Sequence, residues 1–129
     1  VPVWTADTEN AVRRALGEVT YAEPGREHLG LPYITAYQLA IKVRRIDPSV
    51  APELEVGGEG IGQRQSLAQF LARELSQRIK RDETYFVEGA QLSSAAMTVM
   101  TFRHPDGRVI SNSLISAGYD TSMFRLREK

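Results

Sequence analysis

Cysteine is missing from this 129-residue chain, and histidine occurs only at His28 and His104. Without cysteine there is no disulfide framework, no thiol nucleophile, no zinc finger and no iron–sulfur cluster. Two isolated histidines fall short of a histidine-rich metal site, so neither a metal nor a cofactor is expected. Long apolar runs are missing too. No stretch approaches the roughly 20 residues of a membrane-spanning helix, and no signal-peptide pattern opens the chain. A cytoplasmic setting without membrane attachment is therefore expected. An excess of one charge is the third absence. Lysine and arginine number 16, aspartate and glutamate 16, which leaves no global attraction to nucleic acid or to an acidic membrane.

Catalytic chemistry also finds little to assemble. There is no Gly-x-Ser-x-Gly elbow to present a serine nucleophile. His104 stands beside Pro105 in a tight turn, a poor place for an oriented base, and His28 sits in a loop next to Glu27. The carboxylates show no paired spacing on one helix face. No catalytic residue is expected. The glycine-rich stretch Gly57-Gly58-Glu59-Gly60-Ile61-Gly62 precedes a helix, where backbone N–H groups can cradle phosphate. It lacks the lysine and hydroxyl residue of a Walker loop, because Gln63-Arg64 follows, and it lacks the preceding strand of a dinucleotide fold. A surface loop is the expected role.

What is present reads as one domain over residues 1–129. A hydrophobic fraction of 42% suffices for a core at this length without disulfide or metal support. A first helix is expected from about Asp7 to Val19, with Val12, Ala15, Leu16 and Val19 as its apolar stripe and Asp7 or Thr8 as its cap. A loop follows from Tyr21 to Pro32. The second helix starts at a Thr35 cap, carries Ala36, Leu39, Ala40 and Val43 inward, and stops at Asp47-Pro48. The third starts at Ser66 and places Leu67, Leu71, Leu75 and Ile79 four residues apart. Beyond Asp82 the periodicity becomes strand-like. Tyr85-Phe86-Val87 suggests a short strand. Met97–Phe102 and Arg108–Ile115 flank the turn His104-Pro105-Asp106-Gly107 and predict a β-hairpin. The tail from Tyr119 reads as a short helix after Asp120 or a frayed extension. The fold class is thus α+β, with three N-terminal helices followed by an antiparallel hairpin or a three-stranded meander.

By element order this chain resembles a winged helix-turn-helix over about residues 7–116. The resemblance implies a nucleic-acid-binding domain of the kind found in transcriptional regulators, whose third helix enters the major groove of double-stranded DNA beside a hairpin wing. One departure is the spacing. Residues 47–65 separate the second and third helices, where a helix-turn-helix has a short turn. At about 100° per residue, Gln69, Arg73, Ser76, Gln77 and Lys80 cluster opposite the leucine stripe. None is acidic, and all are types that contact bases or phosphates. Arg103 and Arg108 would reach phosphate from the wing.

Charge by segment adds to this. Residues 1–32 carry a net charge of −2, residues 33–82 carry +2, and the remainder balances. Lys42, Arg44 and Arg45, and then Arg78, Lys80 and Arg81, fall at helix C-termini, where cations offset the helix dipole. Apolar residues in Met97–Phe102, Val109-Ile110 and Leu114-Ile115 do not keep to one strand face. A register-shifting bulge gives that pattern, as does a strand covered on both faces. The alternative reading is therefore a non-catalytic interaction module that forms a homodimer through its sheet.

Overall fold

Three helices begin by one device. Thr5, Thr35 and Ser66 each accept a hydrogen bond from the backbone N–H three residues on, at 3.2 Å. In return the side chain of that third residue (Thr8, Gln38 or Gln69) accepts from the cap's own N–H. Each reciprocal box satisfies two N–H groups that a helix start leaves open. The computed structural model describes residues 2–57, 66–113 and 121–128, with residues 110–113 described by their backbone alone. The helices are α1 (Ala6–Gly17), α2 (Ala36–Ile46) and α3 (Leu67–Arg81). For α1 the cap is Thr5, two residues ahead of Asp7. Thr8 is buried as the returning partner in the box.

Among the described residues five strands accompany them: β1 (Ile34–Thr35), β2 (Val87–Leu92), β3 (Val99–Arg103), β4 (Val109–Ser113) and β5 (Thr121–Leu126). The hairpin expected around His104–Gly107 is β3–β4, paired from Val99 against Ser113 to Arg103 against Val109. Gly107 completes its turn at φ +93°, a backbone conformation that glycine reaches without strain. The three-stranded sheet joins segments far apart in sequence. Its order is β1-β5-β2, antiparallel throughout, with Ile34 opposite Phe124 and Gly89 also opposite Phe124. The class is α+β, as the periodicity predicts, while the sheet is not a run of successive strands.

Two local expectations change. The tail after Asp120 is strand β5, not a helix, because Phe124 is drawn into the core at 2% exposure and the pairing with both β1 and β2 runs through it. Tyr85 and Phe86 precede β2 rather than forming it. They pack ring to ring at 4.7 Å, Arg13 of α1 stacks over Phe86, and Tyr85 donates to Glu9. That burial and the adjacent Glu9 carboxylate both raise the Tyr85 phenol above its ordinary range.

The core lies where the three helices meet the inner face of β5 and β2. Val12, Leu16, Leu39, Val43, Leu67, Phe70, Leu71, Leu75, Val87 and Phe124 are all buried there. The connection after α2 does not push α3 away, since α2 and α3 pack directly. Val50 and Val56 are buried, and the Arg44 guanidinium donates to the carbonyls of Pro48, Ala51 and Leu54. That fork ties the first part of the connection back to the helix it leaves.

Candidate nucleic-acid interface

The exposed face of α3 follows from its buried one. Leu67, Phe70, Leu71 and Leu75 point inward, so Arg73, Ser76, Gln77 and Lys80 stand in solvent on one stripe. No ion pair to Arg73 or Lys80 occurs among the described residues. Gln69 lies on the same stripe but is half-buried, and its side-chain oxygen accepts from Ser66 N–H in the helix cap. Its first task is therefore structural. Glu74, the nearest carboxylate, is held by Arg78 one turn on at 2.9 Å. Arg78 in turn lies over the Trp4 ring at 4.3 Å. The Glu74 charge is thus paired within the helix, and none of the four stripe residues is acidic.

The start of α3 has no N–H to offer a phosphate. Leu67 N–H donates to Glu55 C=O at 2.7 Å and Ala68 N–H to Val56 C=O at 3.0 Å. Gln69 N–H goes to the Ser66 hydroxyl and Ser66 N–H to the Gln69 side-chain oxygen. All four groups that make a helix start an anion site are used. Gly57 is buried at φ +135°, and a Cβ there would meet Tyr37 and Ala68 at 3.3 Å. Residues 58–62 of the glycine stretch lie outside the described residues.

The two basic clusters divide. Lys42 and Arg45 both reach Glu18, whose carboxyl is held below its usual range chiefly by the Arg45 hydrogen bond. Arg44 is spent on backbone carbonyls and Arg78 on Glu74. Lys80 and Arg81 remain exposed.

On the hairpin, Arg103 is exposed and Arg108 is clasped by Asp106. The Arg108 backbone N–H and Nε donate to the two Asp106 oxygens at 2.9 and 2.8 Å. These bonds keep the Asp106 carboxyl ionised below its ordinary pKa. His104 Nδ1 sits 3.1 Å from the same carboxylate. Phe102 turns the other way and stacks on Tyr37 at 5.4 Å. Tyr37 also lines Gly57, which sits against Ala68 in the first turn of α3. The hairpin is thus rooted beside the start of the third helix through one chain of contacts. Sequence periodicity did not reveal this seat, nor the clasp on Arg108. The alternation of Met100 and Phe102 with Thr101 and Arg103 was the one available signal for it.

His28 is exposed in a 3-10 turn at Glu27–Leu29. Among the described residues no group of histidine and carboxylate side chains could hold a metal ion, and no helix is long and apolar enough to cross a membrane. Comparison with protein families, curated proteins and solved structures finds no match to this chain.

Proposed function

We propose that this chain is a winged-helix-like domain that binds duplex DNA, in the manner of a transcriptional regulator working in the cytoplasm. The observation that carries the reading is the exposed stripe Arg73, Ser76, Gln77 and Lys80, beside which Glu74, the acid within α3, is paired with Arg78. Support comes also from topology. Strand β1 precedes α2 and lies against the last strand, and a two-stranded ribbon is rooted at the start of α3. In this reading Arg73 and Gln77 face base edges, Lys80 and Arg103 take phosphates, and Gln69 first holds the helix start. Arg108 joins once it leaves Asp106.

Fluorescence anisotropy with random-sequence duplex at low salt tests the idea. Binding at micromolar protein that weakens steeply with added salt is expected, because each neutralised phosphate releases counterions. Arg73→Ala and Lys80→Ala should each weaken binding and lower the salt slope by about 1 where the side chain meets phosphate. Absence of binding at micromolar protein, or binding indifferent to salt, overturns it.

A second reading rests on the outer face of the hairpin, where Val99 is 48% and Val109 63% exposed. An interaction module that dimerises through this ribbon would cover both. Light scattering would then give a dimer that Val99→Asp dissociates. The side chain of Ile110, the other position of interest for such a contact, lies outside the described residues. Arg103 shares the exposed face with Val99, so dimerisation and phosphate contact would compete.

A further inference from the structure

The loop between α1 and α2 closes over β5 around a single guanidinium. Arg125 donates through Nε to Glu88 at 3.0 Å and through Nη1 to the carbonyls of Leu29 and Leu31, at 2.9 and 3.0 Å. Its plane lies over the Tyr33 ring at 4.3 Å. Gly30 takes φ +80° at this point, and a Cβ there would stand 2.7 Å from Nη1, so the loop can approach this closely only with glycine. The loop is thereby preorganised around a cation that is only 18% exposed. Beside it opens a cleft of about 310 Å³, walled chiefly by Tyr21, Leu29, Leu31, Pro32 and Tyr33. Leu29 is 61% exposed at its edge. The Glu23–Arg26 ion pair lines the cleft as well, and apolar walls with a few polar groups are the usual make-up of a small-molecule site, with this volume at the lower end of the range.

Arginine has five N–H donors, and three are used here. The two on Nη2 meet no acceptor among the described residues. The surrounding charge selects the ligand. Glu88 is shared by Arg125 and Arg127, Glu23 and Arg26 pair at 3.4 Å on the cleft wall, and Glu27 and Glu128 stand in the same loop and strand end, with Glu128 taking the Tyr21 hydroxyl. A carboxylate ligand would meet these acids, and an ammonium would meet Arg26 and Arg125. We propose that the cleft binds a small uncharged aromatic molecule, its ring against Tyr21, Leu29 and Pro32 and its carbonyl oxygen accepting from Arg125 Nη2.

Benzamide, benzoate and benzylamine carry the same ring with neutral, negative and positive heads, and each can be titrated into the full chain by ¹H–¹⁵N NMR. Benzamide is expected to shift the amides of Leu29, Gly30, Leu31 and Tyr33 and the Arg125 Nε signal, with Kd on the order of 1 mM for so small a molecule. Benzoate and benzylamine should bind at least about fivefold more weakly, a difference near 1 kcal/mol. Leu29→Glu changes an exposed position and leaves the fold intact, and it should abolish the benzamide shifts. Arg125→Lys keeps the charge, removes Nη2 and should weaken them severalfold. No shift in this loop with benzamide overturns the proposal. So does tighter binding of either charged probe, or unchanged affinity in Leu29→Glu.

Discussion

Asp106 sets what the hairpin can offer to a polyanion. One carboxylate takes both the backbone N–H and the Nε of Arg108, so the arginine spends its charge within its own turn. Exposed pairs of this kind are weak and screened by salt, which makes the clasp easy to open when a phosphate competes. Asp106→Asn keeps an acceptor for the turn and removes the charge. It is expected to raise duplex affinity severalfold and to steepen the salt dependence by about one phosphate contact. Adding Arg108→Ala to that variant should cancel the gain. An unchanged salt slope in Asp106→Asn would mean that Arg108 takes no part. Residue types were legible for this site and pairings were not. Arg73, Ser76, Gln77 and Lys80 could be placed on one stripe because helical periodicity is local. That Gln69 would cap its own helix, or that Arg44 would grip three carbonyls, depended on side-chain directions that spacing does not encode.

At the scale of elements, the helices are the most faithfully written part of the chain. The caps Thr35 and Ser66 and the stop at Asp47-Pro48 fall where the sequence places them, because caps and prolines act over three or four residues. Ser66 is nearly fully buried, and its hydroxyl and carbonyl serve the N–H groups of Gln69 and Phe70. Ser66→Ala should therefore cost about 1 kcal/mol of stability, read as a lower urea midpoint with an unchanged slope. A midpoint within error of the parent would show that the Glu55 and Val56 carbonyls hold the helix start unaided. The strands were less legible. β1 is two residues long, too short for any alternation, and exists because Phe124 and Met123 of β5 stand opposite it. β5 itself places Met123 next to Phe124, so its period of two is blurred until the pairing shows which residue faces the core.

For the whole molecule, balanced charge leaves stability dependent on a few locally held carboxylates. Asp47 accepts from the Ser49 hydroxyl and N–H, Asp82 from those of Thr84, and Asp106 from the N–H and side chain of Arg108. Each sits below its ordinary pKa of 3.8 for that reason. A carboxyl depressed in the folded state stabilises the fold above its unfolded pKa, and that contribution is lost as the pH falls through the folded value. Thermal unfolding should therefore be level between about pH 7 and 5 and decline below about pH 4. Asp47→Asn combined with Asp82→Asn should flatten the decline. A decline of the same steepness in that double variant would assign the acid sensitivity to other groups, Glu18 with its Arg45 partner first among them.

The sequence by itself determined the class of molecule and the range of its chemistry. Missing cysteine removed thiol and disulfide chemistry outright. Helical periodicity with caps gave three amphipathic helices, and an Asp-Gly turn gave the hairpin. All of these are short-range effects, and short-range effects are written in neighbouring residues. Tertiary structure decided the rest. It set the β1-β5-β2 order and seated the hairpin on Tyr37 beside the start of α3. It closed that helix start with the Glu55 and Val56 carbonyls, and it gathered Leu29, Tyr33 and Glu88 around Arg125. Those partners lie from 12 to 96 residues apart. Only the burial of a shared core, with Phe124 and the leucines of α3 at its centre, brings them within reach.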